Sequence, residues 1–223
     1  MLYTISYALL IPAMILCLVA QMRVRSTFNK YSRVRNTRGI TGAQAAYGIM
    51  RDLNINAAIE HARGTLSDHY DPRTNTLRLS NGVYNETSVA ALGVAAHEVG
   101  HLMQQQEGYF PMRLRKAVLP VAQLGSTLAV PLVFIGLFME AMSLVNAGVI
   151  LFSAVVLFQL ITLPVEFNAS RRALLALEQG GYAAPDELPR CKKVLNAAAL
   201  TYVASVLVSM LQLLRFIGLS RRR

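Results

Sequence analysis

Charged residues are scarce in this chain. They make up 15% of its 223 residues, whereas 54% are hydrophobic, and the mean hydropathy is +0.39. Residues 1–22 contain no charged side chain, and residues 117–165 contain only Glu140. A chain with so little charge and such long apolar stretches is neither an ordinary soluble enzyme nor a disordered protein.

Cysteine is scarce as well. Cys17 lies in the first apolar stretch and Cys191 in a polar connection. A secreted scaffold held together by disulfides is therefore excluded, and we expect a reducing compartment around the polar parts. The net charge of +10 is spread over basic residues that flank the apolar stretches. This placement favours a lipid bilayer as the partner and argues against nucleic acid.

The apolar stretches predict a mainly α-helical, multi-pass protein of the cell membrane, because each is close to the length that crosses a bilayer. We expect five parts: an N-terminal transmembrane anchor (1–22), a cytoplasmic folded region (23–116), a transmembrane helical hairpin (117–165), a cytoplasmic return helix (166–193), and a C-terminal apolar helix with a basic tail (194–223). Basic residues follow the anchor at once. This order indicates an uncleaved anchor with its N-terminus outside and the next residues inside.

The last apolar stretch, residues 194–214, has two possible placements. Three crossings leave Arg190, Lys192 and Lys193 inside, so a fourth would place the three arginines at 221–223 outside, against the usual bias. The helix either crosses despite this bias, or it lies buried or along the interface. A reporter fused after Arg223 distinguishes the two, since a crossing puts it outside.

The polar region between the anchor and the hairpin has room for a small domain. Residues 41–53 have the apolar periodicity of a helix. A turn-rich DPRTN segment precedes Thr76–Ser80, where leucines alternate with polar residues as in a half-exposed strand. Such a strand could be an edge that pairs with an extended peptide substrate, or it could only pack on a helix. A further helix is expected to begin after Asn85 or Thr87 and to end near Gln106.

This last helix contains the motif H-E-x-x-H. His97 and His101 lie on one face, and Glu98 is close enough to reach a metal-bound water. Two imidazoles suit zinc, which lowers the pKa of bound water so that a nearby carboxylate can accept its proton. Within residues 89–103 these three are the only ionisable side chains. Because burying them uncompensated is costly, we expect one Zn²⁺ ion here.

A catalytic zinc usually has three protein ligands. His61 and His69 could supply the third, but both precede the motif, in or near turn-rich stretches. Glu166 is the better candidate, because it lies where the hairpin returns to the cytoplasmic side and where Pro164 can begin a new helix. The alternative for Glu166 is an exposed carboxylate that stabilises a helix N-terminus.

Three blocks in order, GTLSDHYDPRTNTLRLS, SVAALGVAAHEVGH and LPVEFNASRRA, resemble the YugP-like neutral zinc metallopeptidases over nearly the whole chain. More distantly, the chain is similar to the HtpX-like membrane gluzincins. The resemblance implies a small α+β, zincin-like metalloprotease domain built on the H-E-x-x-H helix. It implies His97, His101 and Glu166 as zinc ligands, Glu98 as general base, and hydrolysis of peptide bonds in membrane or membrane-adjacent proteins.

The chain departs from the gluzincin pattern at one position. Ser170 stands where that pattern has Asp, four residues after the ligand Glu, and Asn168 is a second polar candidate nearby. A weaker partner for a ligand imidazole lowers metal affinity. The group that stabilises the oxyanion stays open among four residues: His69, Tyr109, Arg171 and Tyr182.

A non-catalytic alternative also fits the motif. In a membrane adaptor or chaperone-like protein, zinc would only brace the fold, and Glu98 would have no chemical task. A third reading, cleavage inside the bilayer, is disfavoured because the motif helix lies outside the spanning stretches and is followed by the polar residues 104–107.

Overall fold

The protein is mainly helical and contains one small sheet. The computed structural model describes residues 2–220, with side chains from residue 11 onward, so the arginines at 221–223 lie outside the described residues. The elements are α1 (Leu2–Tyr31), α2 (Gly42–Asp52), β1 (Ala58–Ala62), β2 (His69–Asp71), β3 (Thr76–Ser80), α3 (Asn81–Tyr84), α4 (Val89–Gln106), α5 (Phe110–Phe138), α6 (Met142–Gln179) and α7 (Leu188–Ser220). Four of the described helices, α1, α5, α6 and α7, are long and apolar enough to cross a membrane.

The chain divides into two compact units. The first comprises the described parts of Met1–Gln21, Phe110–Pro164 and Leu200–Arg223, and the second comprises Met22–Tyr109 and Val165–Ala199. Helix α6 continues to Gln179 with Pro164 inside it, so the expectation that a new helix begins at Pro164 is wrong. Membrane-type helices tolerate an internal proline when the freed carbonyl group finds another partner.

In the first unit, α5 and α6 pack at close range. A Cβ atom at Gly125 of α5 would lie only 2.4 Å from the carbonyl oxygen of Leu151 on α6. Glycine is required there because any side chain would push the two backbones apart. Val133, Val145 and Phe216 form the buried apolar cluster of this unit.

In the second unit, local capping defines the helix starts. The Thr41 hydroxyl accepts the Gln44 N–H at the start of α2, and the Gln44 side chain accepts the Thr41 N–H in return. Helix α4 begins after Ser88, whose hydroxyl accepts the Ala91 N–H. The predicted caps are therefore wrong: Asn85 is the C-cap of α3, and the N-cap of α4 is Ser88, one residue after Thr87. The predicted end of the helix near Gln106 is confirmed.

Strand β3 is the centre of the sheet, whose order is β1-β3-β2. It pairs in parallel with β1 and antiparallel with β2. The expectation that Thr76–Ser80 is half exposed is therefore wrong, and of its two alternatives the edge that pairs with substrate is excluded because β3 lies between two strands. Leu77 and Leu79 of β3 are fully buried. Between them, Arg78 donates to Asp71 of β2 at 2.7 Å and to Glu60 of β1 at 3.1 Å.

This ion pair has a clear electrostatic effect. The hydrogen bond from Arg78, assisted by the N–H of Arg73, lowers the pKa of the Asp71 carboxyl to about 2. Asp71 therefore stays ionised, and the short strand β2 stays tied to the centre of the sheet.

The buried leucines of β3 supply a test of the second unit. Leu79→Ala should lower the free energy of unfolding by about 2–5 kcal/mol, because it leaves a cavity in a core that contains Leu79. Denaturant titration in detergent, followed by tyrosine fluorescence, measures the change. Leu53→Ala is the control, since Leu53 is 48% exposed and its loss should cost little. Equal effects of the two substitutions would contradict the placement of β3 in the core.

Candidate metal centre

Two imidazoles project from one side of α4. His97 and His101 lie one turn apart, and their rings meet edge to face with centroids 4.7 Å apart. The helix around them is made almost entirely of buried alanine, valine, leucine and glycine. The apolar surface of α4 packs into the core of the second unit. The two histidines are thereby held in a place with little access to solvent.

Helix α6 approaches α4 at the motif itself. A Cβ atom on Gly100 would lie 2.5 Å from the carbonyl oxygen of Ala169 and 3.1 Å from its Cα atom. The two backbones are thus in direct contact, which only glycine at position 100 allows. This contact brings the α6 side chains near Ala169 onto the histidine face of α4.

Glu166 meets both histidines. Its Oε2 atom lies 3.3 Å from Nε2 of His97 and 3.5 Å from Nε2 of His101, and the three ligand atoms lie within 4.8 Å of one another. Glu166 is only 3% exposed, so it is not the exposed helix-terminal carboxylate considered as the alternative. Donors about 2.0–2.1 Å from a tetrahedral zinc are roughly 3.3 Å apart, and the two distances from Glu166 to the histidines fit such an ion.

The other ring nitrogens are also engaged. Nδ1 of His97 lies 3.1 Å from the Ser170 hydroxyl, and Nδ1 of His101 lies 3.1 Å from Oε1 of Gln104. Ser170 therefore reaches the imidazole of His97, a candidate metal ligand, from the position at which the gluzincin pattern has Asp. Because Nδ1 of each ring contacts a side chain on one side, Nε2 of each ring points to the opposite side, toward Glu166.

Glu98 is placed apart from this group of three. It is 8% exposed, and its Oε2 atom accepts a 3.1 Å hydrogen bond from the backbone N–H of Tyr70 on β2. The carboxylate is thus buried beside the histidines and oriented by an edge strand of the sheet.

The buried charges act on one another. Burial alone lowers the pKa of His101, but its hydrogen bond to Glu166 and the charge of Glu98 outweigh burial, so the pKa lies above its usual value. An imidazole that attracts a proton in this way also attracts a cation in its place, since both compete for the same lone pair.

The other sequence candidates lie elsewhere. His61 contacts Asn81 and packs edge to face on Tyr84. His69 is exposed and contacts the Ser67 carbonyl at 2.8 Å. Within the described side chains, neither belongs to a group of three ligand atoms that could hold a metal.

Two of the oxyanion candidates have other partners. The Tyr182 hydroxyl donates to Asp52, and the Tyr109 ring packs under the Arg172 guanidinium.

Two contacts at the site were not foreseen from the sequence. The contact of Gln104 with His101 could have been predicted, because positions 97, 101 and 104 follow the i, i+4, i+7 spacing of one helical face. The contact of the Tyr70 N–H with Glu98 could not, since it involves a backbone group 28 residues away.

Comparison with known proteins gives a consistent picture. The family model described as "Putative neutral zinc metallopeptidase" matches residues 6–221. The "Putative membrane protease YugP" of Bacillus subtilis (strain 168) is 48% identical over 212 residues, which cover 94% of this chain and 93% of that relative. No solved structure matches the chain.

The close approach of α4 and α6 generates a prediction. Gly100→Ala should reduce the affinity for zinc by about 5- to 140-fold, because overpacking costs about 1–3 kcal/mol and 1.4 kcal/mol is a factor of ten. Gly93→Ala is the matched control on the same helix, since its Cβ atom would make only ordinary contacts with Cys191 at 3.5 Å. Chelator competition measures the affinity, and an unchanged value for Gly100→Ala would contradict the dependence of the site on this contact.

Proposed function

The chain belongs to this neutral zinc metallopeptidase family, and we propose that it is an integral membrane zinc-dependent metalloendopeptidase of the gluzincin type. In this proposal His97, His101 and Glu166 hold one Zn²⁺ ion, and Glu98 is the general base. The observation that carries it is the convergence of two Nε2 atoms on one buried carboxylate oxygen, at 3.3 and 3.5 Å. Two imidazoles and a carboxylate form a set used by catalytic zinc sites, which keep a further position open.

The residues divide the chemical work between them. Bound zinc supplies Lewis acidity, which makes water a stronger acid and polarises a carbonyl group. Glu98 takes the proton of the attacking water on Oε1, while Oε2 stays held by the Tyr70 N–H, and it then passes the proton to the leaving amine. Burial of Glu98 strengthens this step, because few waters compete for its carboxylate.

The relative and the composition together suggest the substrates. The 48% identical relative is described as a membrane protease, and four described helices are candidate spans. We infer that the substrates are membrane or membrane-adjacent proteins. The basic residues that follow the first apolar stretch favour a cytoplasmic active site, in a zincin-like domain formed by residues 23–116 together with the return segment 166–193.

The position of Glu98 favours a catalytic site over a zinc-braced adaptor. A structural site has no use for a fourth ionisable group that is not a ligand, and burying an idle carboxylate is unfavourable. Glu98 is buried all the same, oriented by Tyr70 beside the ligand histidines.

Glu98→Gln tests the function. Zinc content should stay at one ion per chain, because Glu98 is not a ligand, whereas cleavage of membrane-extracted proteins should fall by about 10²–10⁴-fold through loss of the base. Glu178→Gln is the control, since Glu178 is an exposed glutamate of α6. Equal cleavage by wild type and Glu98→Gln would reject the peptidase and favour the adaptor.

A further inference from the structure

Gln104 is a buried polar side chain that the proposed reaction does not use. It is fully inaccessible to solvent, on α4 three residues after His101. Its amide nitrogen donates to the backbone carbonyl of Val165 at 2.8 Å and to Oδ1 of Asn168 at 3.0 Å, both on α6. Its oxygen Oε1 faces Nδ1 of His101 at 3.1 Å. The Gln104 amide is buried, and both its nitrogen and its oxygen have partners, on α6 and α4 respectively. Its orientation is therefore defined.

This orientation determines which nitrogen of His101 carries the proton. The carbonyl of Val165 can only accept, so the atom of Gln104 that contacts it must be the NH₂ group. The atom that faces His101 is then the oxygen, which can only accept. Nδ1 of His101 must therefore be the donor. The proton on Nδ1 stays on the side away from Glu166, so Nε2 is the nitrogen that exchanges its proton for a metal ion when one binds beside Glu166.

Asn168 fixes Gln104 in turn. Nε of Arg172 donates to Oδ1 of Asn168 at 2.7 Å. Because a guanidinium only donates, the shared atom of Asn168 is its oxygen, which accepts from Arg172 and from Gln104 together. The same guanidinium pairs with Glu107 at 2.6 Å, just after α4. The contacts thus form a chain from His101 through Gln104, Asn168 and Arg172 to an exposed carboxylate.

The two ligand histidines differ in this respect. His97 contacts the Ser170 hydroxyl, which can donate or accept and so imposes no proton position. Gln104 imposes one on His101 without adding charge. A carboxylate at 104 would face the Val165 carbonyl and would be a third buried anion beside Glu98 and Glu166, which is strongly unfavourable.

We propose that Gln104 is a positioning residue that holds the proton of His101 on Nδ1 and aims Nε2 at the metal, and that Asn168 sets the orientation of Gln104. This role rests on the proposed function only in taking His101 as a zinc ligand. It differs from simple packing because it depends on an acceptor at Oε1 and on a donor at Nε2 of the Gln104 side chain.

The first test removes the amide and keeps the volume. Gln104→Met should weaken zinc binding by about 10- to 100-fold, the usual effect of losing a partner of a ligand histidine. Gln106→Met is the matched control, an exposed glutamine on the same helix, and should bind zinc as wild type does. Competition with a chromophoric chelator measures the affinity, and thermal unfolding of the metal-free proteins measures any separate loss of stability.

The second readout is spectroscopic. The chain has four histidines, so ¹⁵N-histidine labelling gives few signals. In the zinc-loaded wild type, the Nδ1–H of His101 should exchange slowly with water, because it is hydrogen-bonded and buried. This protected signal should disappear in Gln104→Met and persist in Gln106→Met.

Substitutions of Asn168 test the chain of contacts without touching Gln104. Asn168→Asp keeps an acceptor for both Arg172 and Gln104, so zinc affinity and the protected His101 signal should match wild type. Asn168→Leu removes the acceptor, so the affinity should fall and the signal should exchange faster. Equal behaviour of Asp and Leu at position 168 would overturn the role of Asn168.

The outcomes separate this role from the proposed function. A wild-type protein without bound zinc would overturn the metal site, and the positioning role with it. A wild-type protein with one zinc whose affinity and His101 signal are unchanged in Gln104→Met would overturn the positioning role alone. If Gln104→Met only lowers the unfolding temperature and keeps the zinc affinity and the His101 signal, Gln104 has a packing role and the positioning role is rejected.

Discussion

The contact between Gly100 on α4 and the backbone of Ala169 on α6 is the constraint on which the rest of the site depends. A Cβ atom added to Gly100 would lie only 2.5 Å from the carbonyl oxygen of Ala169. The two main chains therefore leave no room for a side chain at position 100. The residues on either side of Ala169 therefore meet the histidine face of α4 directly: Glu166, Asn168 and Ser170. If a side chain at position 100 separated α6 from α4, Glu166, Asn168 and Ser170 would lie too far from α4 to make these contacts.

The buried charges of the site are tolerable because each has a partner. Glu166 faces two imidazoles, Glu98 accepts a backbone N–H, and His101 donates to an amide oxygen. Unpaired, such groups would oppose folding by several kcal/mol each. They still leave a concentration of negative charge among apolar residues. A divalent cation relieves it, and metal binding and folding of the second unit are expected to support each other.

Local features of the sequence were predictable, and long-range features were not. The capping box at Thr41 and the H-E-x-x-H face follow from spacing within one helix. The return of Glu166 to the histidines could be inferred because a short connection forces two apolar helices to run side by side. Pro164 was misleading because proline is common in the first turn of a helix but is also tolerated inside a membrane-type helix. The central position of β3 and the Tyr70 contact depend on partners far along the chain. No periodicity within a segment encodes those partners.

We propose that two histidines of α4 and a glutamate of α6 hold one zinc ion. X-ray absorption at the zinc edge, on wild-type protein purified in detergent, tests it most directly, because it identifies the donor atoms without relying on activity. We expect one zinc per chain with two imidazoles and oxygen donors, and loss of one oxygen donor or of the metal itself in Glu166→Ala. Absence of zinc, a sulfur donor, or a spectrum unchanged by Glu166→Ala would contradict it.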